Sequence, residues 1–298
     1  MDRFSAMSVF TSVVTAGSFS AASRALRMPL PTVSRKVAEL ESHLDAKLLV
    51  RGTRKLALTE AGEAYLAACR RIIEAVAEAE RGAAGAYNTP QGELVITAPV
   101  TFGRLHVVPV AAGFLAAHAQ VDVRLVLSDR QLNLIDDHLD LAVRVGELPD
   151  SSLVAARLGQ VRSVVCASVE YLERRGTPKS PAALAEHDCV SFSALGSGDQ
   201  WRFPGGEAIP LRSRMVVSSA DAALEAALGG VGLTRLLSYQ VAGAVRAKKL
   251  AVVLRKYEPA PLPVSLLYVR ERRVSGKLRA FLDFAAPRLR ARLDEARL

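Results

Sequence analysis

Thr32, Ser34, Arg35 and Lys36 place two hydroxyls and two cations within five positions, and Arg51, Arg54 and Lys55 follow as a short basic run. Hydroxyls and guanidinium groups reach base edges, and clustered Lys/Arg neutralise phosphates. Ser18 and Ser20, slightly upstream, add two further hydroxyls. These groups suit an anionic, groove-bearing partner such as double-stranded DNA. Three short helices must position them. The first spans about Arg3 to Ala16 and ends at Gly17. The second starts at Ser18-Phe19-Ser20, where Ser20 is expected to cap. After Arg27-Met28-Pro29 the third runs from Leu30 to Leu44, with Pro31 tolerated in its first turn. Val33, Val37, Leu40 and Leu44, spaced 4, 3 and 4, form its apolar stripe and leave the polar residues on other faces. Leu48–Val50 and Leu56–Leu58 then flank the basic run as a strand, a turn and a strand. This is a winged helix-turn-helix pattern over residues 1–59.

Charge placement agrees. The net charge is +9, with nine Lys/Arg against four Asp/Glu in residues 1–59, eighteen against seventeen in 91–269, and nine against four in 270–298. The N-terminal surplus points to nucleic acid. The C-terminal surplus suits a solvated amphipathic helix. At 298 residues the chain is long enough for two domains. Cys69, Cys166 and Cys189 have no CxxC spacing, which argues for a reducing, cytoplasmic setting. No membrane span is expected, because the uncharged stretch from Leu105 to Val121 contains His106, Pro109, Gly113 and His118. The uncharged run from Phe4 to Ser23 reads as a helix and not a secretory signal, since Phe4, Met7 and Phe10 recur at helical spacing.

Thr59 is expected to cap a long helix over residues 60–90. Tyr65, Cys69, Ile72, Val76, Ala79 and Ala83 are spaced 4, 3, 4, 3 and 4 along it. Such a seam packs either on its own domain or on a second copy, and dimerisation is the favoured reading because DNA readers of this size use two half-sites. Asn88-Thr89-Pro90-Gln91-Gly92 is a linker. Beyond it, strands at Leu94–Thr97, Val121–Leu127 and Leu141–Val145 alternate with helices at Phe102–Ala117 and Leu132–His138. That βαβαβ order implies a parallel sheet. A second sheet is expected from Val161, with Trp201 in one of its strands, and the chain closes on a helix from Leu278 to Leu293.

Enzyme signatures do not emerge. Gly196-Ser197-Gly198 lacks nucleophile-elbow spacing. No HExxH or P-loop is present, and Gly229-Gly230-Val231-Gly232 follows a helix and reads as its C-cap. His106, His118, His138 and His187 have no ligand spacing. No metal, cofactor or catalytic residue is expected.

The run Phe19-Ser20-Ala21-Ala22, Leu26, Thr32-Val33-Ser34-Arg35, Leu40-Glu41, Leu44, Leu48-Leu49, Arg51 and Leu58-Thr59-Glu60-Ala61-Gly62 resembles the DNA-binding module of LysR-type transcriptional regulators. The segments at 98–103, 127–130, 140–146 and 150–154 are similar to the effector domain of that family, in particular its CrgA/AaeR-like branch. The sequence departs from the family where a Ser cap and a Gln often stand. Pro29-Leu30 occupy those places, so Thr32, Ser34 and Arg35 carry more of the readout. The resemblance implies an α/β multidomain chain: the winged module, a long linker helix and a two-lobed effector domain of the type 2 periplasmic-binding-protein kind over 91–298. Lobe I covers about 91–160 and 268–298, and lobe II about 161–267. A small effector would bind between the lobes, at Pro99, Val100, Thr101, Phe102, Ser128 and Arg144. Helix N-terminal N–H groups at Pro99–Phe102 suit a carboxylate, and Arg144 would add a cation unless it pairs with Asp140 or Glu147. The partners implied are double-stranded DNA, the effector and further copies of the chain, as a homodimer or a dimer of dimers. The alternative is a cytoplasmic solute-binding or transferase-like protein of the same two-lobed fold.

Overall fold

A computed structural model of the chain describes residues 1–51, 56–83, 90–148, 153–192, 200–206, 208–270 and 274–298. The chain divides into two compact units, Met1–Asn88 and Thr89–Leu298.

In the first unit, α1 (Arg3–Ala16), α2 (Phe19–Ala25) and α3 (Leu30–Leu44) precede a hairpin of β1 (Leu49–Arg51) and β2 (Leu56–Leu58), and α4 (Glu60–Ala83) follows. The hairpin is antiparallel, with Leu49 opposite Leu58 and Arg51 opposite Leu56. Val9, Phe10 and Val13 of α1, Val33, Val37 and Leu40 of α3, and Leu48, Leu66 and Cys69 are buried together. Burying each of the larger side chains contributes about 1.5–3 kcal/mol. Thr59 Oγ1 accepts from Gly62 N–H at 2.9 Å, which caps α4 as the sequence predicts. Gly62 is required by close approach: a Cβ there would stand 2.0 Å from the Leu48 carbonyl oxygen. Ser18, and not Ser20, caps α2, because its side chain accepts from Ala21 N–H at 3.1 Å.

In the second unit, β3 (Gly92–Ala98), β4 (Val121–Leu127), β5 (Leu141–Val145), β6 (Leu153–Val161) and β14 (Leu262–Val269) form one sheet in the order β4-β3-β5-β14-β6. The β4-β3-β5 half is parallel, as the βαβαβ pattern requires. Strand β14 runs antiparallel to β5 and β6, which the pattern did not include. The other sheet, in the order β11-β8-β12-β7-β13, is built from β7 (Ser163–Ser168), β8 (Asp188–Phe192), β11 (Arg212–Val217), β12 (Leu233–Leu237) and β13 (Leu250–Val253). A separate hairpin joins β9 (Gln200–Arg202) to β10 (Ala208–Pro210). The chain thus re-enters the first sheet at Leu262, ahead of the expected 268, and leaves it at Val161. Helices α7 (Val169–Arg175), α8 (Ala220–Leu228) and α9 (Ser238–Arg246) serve the second sheet, and α10 (Gly276–Glu295) packs on the first.

Two expected helices differ. Residues 134–138 form turns instead of a helix. Asn133 N–H donates to Asp137 at 2.7 Å, and Asn133 Oδ1 accepts from Ile135 N–H at 2.9 Å, so side chains take the backbone partners a helix would use. The helix after β3 has three parts: α5 (Val100–Phe102), a π-helical stretch (Gly103–Val107) and α6 (Val108–Ala117), with Pro109 in the first turn of α6. A Cβ at Gly103 would lie 2.2 Å from Leu127 Cδ2, so glycine lets this segment sit directly on β4. Val100–Ala117 is apolar enough in composition to cross a membrane, but Phe102, Val107, Val110, Ala111 and Phe114 are buried in the first-sheet core, as a core helix requires.

Candidate nucleic-acid interface and interlobe site

On α3, Arg35 is 71% exposed and lies 3.8 Å from Glu39, one turn on. Thr32 and Ser34 are half-buried, and Ser20 is exposed on α2. An exposed i,i+4 pair contributes only a few tenths of a kcal/mol, so Arg35 can exchange Glu39 for a phosphate or a base. Lys36 does something else: its Nζ donates to Ser5 Oγ at 2.9 Å and ties α3 to α1. Lys36 is half-buried, and a phosphate would draw its ammonium away from this hydroxyl. Leu30, where a donor is common, is 43% exposed and apolar. Ser18 is spent on the α2 cap. Arg51 ends β1, Arg54 and Lys55 lie outside the described residues, and so does the Arg51 side chain.

Glu41 was not singled out by its chemistry, yet it organises the module. Its Oε1 accepts from Leu48 N–H at 2.9 Å and Leu49 N–H at 3.2 Å, and Oε2 meets Lys47 Nζ at 3.0 Å. Burial alone would raise this carboxyl, but those donors hold it below the ordinary glutamate value. A buried carboxylate on α3 thereby fixes the start of the wing.

The α4 seam divides. The Tyr65 ring packs tilted against Phe10 with centroids 5.9 Å apart, and Cys69 is fully buried among α1 and α3 residues. Cys69 belongs to the unit's own core, out of reach of a second copy, whereas Tyr65 packs on that core and stays partly exposed. Burial pushes the Cys69 thiol up to about 11, which suits packing and not reactivity. Farther along, Ile72 is 42% exposed and Val76 half-buried.

In the second unit, the Pro99–Phe102 turn does not offer a set of open donors. Val100 N–H donates to Asp129 Oδ1 at 3.1 Å. Thr101 is buried, and its hydroxyl donates across to Asp221 Oδ1 of α8 at 3.3 Å. Arg104 Nη2 reaches that same oxygen at 2.9 Å. The Phe102 ring is fully buried and packs edge-on against Tyr239 of α9 at 5.3 Å and beside His106 at 4.8 Å. Burial raises the Tyr239 phenol, and Asp129 and Asp221 push it the same way. Burial, helped by Arg292, pulls His106 down to about 4, and neither ring nitrogen has a partner among the described residues. These contacts bring the two lobes together.

Two expected ligand groups are engaged locally. Ser128 Oγ accepts from Arg130 N–H at 3.1 Å, a turn-forming bond. Arg144 is half-buried and reaches the segment ahead of the 134–138 turn. Its Nη2 donates to the Leu132 carbonyl, so it clamps the 134–138 turn. Burial lowers its guanidinium and Asp137 opposes the shift. Trp201 is 2% exposed and packs in the lobe II core. Arg104, Asp129, Asp221 and Tyr239 were not anticipated. Arg104 lies one helical turn from Thr101 and was open to inference, whereas nothing local in the sequence pairs Asp221 with residue 101.

Comparison with known proteins matches this architecture. Residues 4–63 match the model for the bacterial regulatory helix-turn-helix protein, lysR family, and residues 88–290 match the LysR substrate binding domain. The chain is 35% identical over 286 residues to the HTH-type transcriptional regulator CrgA of Neisseria meningitidis serogroup B, covering 95% of this chain and 96% of that protein. It is 33% identical over 287 residues to the HTH-type transcriptional activator AaeR of Escherichia coli K12, covering 95% and 93%. A solved structure of CrgA superposes with a TM-score of 0.62 at 34% identity, covering 96% of this chain and 98% of that one. The winged module, the linker helix, the paired α/β lobes and both family matches together place the chain in the LysR family of transcriptional regulators, which are DNA-binding proteins and not enzymes.

Proposed function

We propose that the protein is a sequence-specific DNA-binding regulator that works in the cytoplasm as a homo-oligomer and responds to a small acidic effector bound between its lobes. The observation that carries the DNA part is the division of α3. Val33, Val37 and Leu40 are buried, while Arg35 stands 71% exposed beside half-buried hydroxyls, on a module with a basic surplus. In this reading Thr32, Ser34 and Arg35 read base edges, Ser20 and Arg51 join Arg54 and Lys55 on phosphates, and the reading module ends near residue 59. Ile72 and Val76 supply the dimer contact, as the exposed remainder of the α4 seam.

The effector part rests on the polar groups gathered where the lobes meet. Thr101 and Arg104 can both donate to a carboxylate, and Val100 N–H already does so. A titration of the full chain against duplex DNA at rising salt tests the DNA part. Affinity falls linearly on a log–log plot, with a slope near 0.9 per phosphate contact. Salt-independent or absent binding contradicts the proposal. Ile72→Asp yields monomers in sedimentation, and an intact dimer contradicts the seam assignment.

A further inference from the structure

One oxygen, Asp221 Oδ1, receives two donors from the opposite lobe: Arg104 Nη2 at 2.9 Å and Thr101 Oγ1 at 3.3 Å. Asp221 sits in the first turn of α8, packed on the second sheet, whereas Thr101 and Arg104 belong to the helix that follows β3 in the first. Three features set this contact apart. It joins residues 117 and 120 positions distant, so it reports lobe against lobe and not local turn formation. It converges on the hydroxyl expected to meet an effector. Its charged partners are also half in solvent, with side chains 55% and 39% exposed, and exposed ion pairs are held weakly and exchange readily. The π-helical turn from Gly103 to Val107 begins directly before Arg104, at a glycine packed closely on the Leu127 side chain.

We infer that Asp221 is an internal carboxylate seated in an anion site formed by Thr101 and Arg104, where it latches the lobes together, and that an acidic effector binds by taking its place. The inference rests on the interlobe effector reading above and deepens it by naming the resident competitor. An effector carboxylate offers Thr101 and Arg104 the same acceptor. It differs in leaving Asp221, and with it α8, free to move relative to the 100–107 segment. The site therefore couples occupancy to lobe contact without any further moving part. Neutral ligands, which give Arg104 no charge-assisted partner, leave the latch closed.

Hydrogen exchange on the full-length chain tests this without a cognate effector. In Asp221→Ala, amides of residues 101–107 and 220–224 exchange at least several-fold faster than in the wild type. Arg104→Gln, on the other lobe, gives the same pattern. Added acetate restores protection to residues 101–107 of Asp221→Ala but not to 220–224, while chloride at equal ionic strength and neutral acetamide restore neither. Arg104→Gln gains nothing from acetate, because the seat itself is lost. Unchanged exchange in both variants overturns the latch, and equal effects of acetate, chloride and acetamide overturn the carboxylate seat. Because the readout uses no DNA and no natural effector, either failure leaves the DNA-binding reading standing, and failure of the wild type to bind DNA leaves this one standing.

Discussion

On α3, Val33, Val37 and Leu40 are at most 1% exposed while Arg35 on the same helix is 71% exposed. On the segment from Val100 to Val107, Thr101, Phe102 and His106 are all buried, and the polar atoms there mostly face other protein groups. Both helical segments carry polar residues among apolar ones, yet they handle polarity in opposite ways. The first sends packing inward and chemistry outward, as a surface that must meet a large rigid partner requires. The second folds its chemistry into the junction of two lobes, where each hydroxyl or cation is matched by a side chain far away in the sequence. In the proposed reading the first keeps its donors open for DNA, whereas the second holds them on Asp221, which an effector would displace.

Breaking the order of the first region should produce the largest effect. Glu41→Ala leaves the Leu48 and Leu49 N–H groups without their buried acceptor, and should cost about 3 kcal/mol or more in a denaturant melt. Its depressed carboxyl also fixes the sign of the pH dependence. The Glu41 contribution is full above the ordinary glutamate value and is lost as pH falls through the lower folded value. A Glu41→Gln variant should show a flatter acid limb, and an identical limb would contradict the role given to the carboxylate.

His106 sharpens the contrast from the other side. The unfolded ring takes its proton near 6.5 and the folded ring only near 4. Stability is therefore full above about 6.5 and declines as pH falls between those values, by roughly 3 kcal/mol over the full interval. His106→Leu should remove that decline and also stabilise the protein at neutral pH, because two buried nitrogens without partners among the described residues are replaced by carbon. Melts at pH 7 and pH 5 that shift in parallel for both proteins would contradict this.

Arg144→Ala gives the smallest effect. With the guanidinium holding the Leu132 carbonyl, the substitution should cost about 1 kcal/mol, seen as faster exchange of residues 132–139. A tenfold loss of affinity for a carboxylate effector with normal exchange would favour the ligand role that its place at a strand end suggests over the clamp.

How much of this was legible in the sequence follows the same division. The helix boundaries of α1 and α3, the Thr59 cap, the wing strands and the apolar stripe are set by neighbours within one or two turns, so spacing and cap chemistry reveal them. The seam on α4 was visible as a pattern, but periodicity does not say that Tyr65 meets Phe10 and Cys69 joins the buried core while Ile72 is exposed. The antiparallel β14 could not be placed, because its partners lie more than a hundred residues earlier. The interlobe site was legible only in half. Thr101 was found from its turn and from family resemblance, whereas Asp221, Asp129 and Tyr239 reach it through tertiary structure alone. Asn133 shows the converse failure, where an Asx side chain captured the backbone of a segment whose apolar spacing had suggested a helix.

The most direct measurement is the affinity of Arg35→Ala for a duplex selected from random DNA by the wild-type protein, compared with its affinity for unselected duplex and with its thermal melt. Arg35 lies outside the buried stripe, so the melt should match the wild type within about 0.5 kcal/mol. Affinity for the selected duplex should fall by about 1–3 kcal/mol, and affinity for unselected duplex by clearly less. Equal affinity of variant and wild type for the selected duplex would contradict the assignment of α3 as the surface that reads sequence.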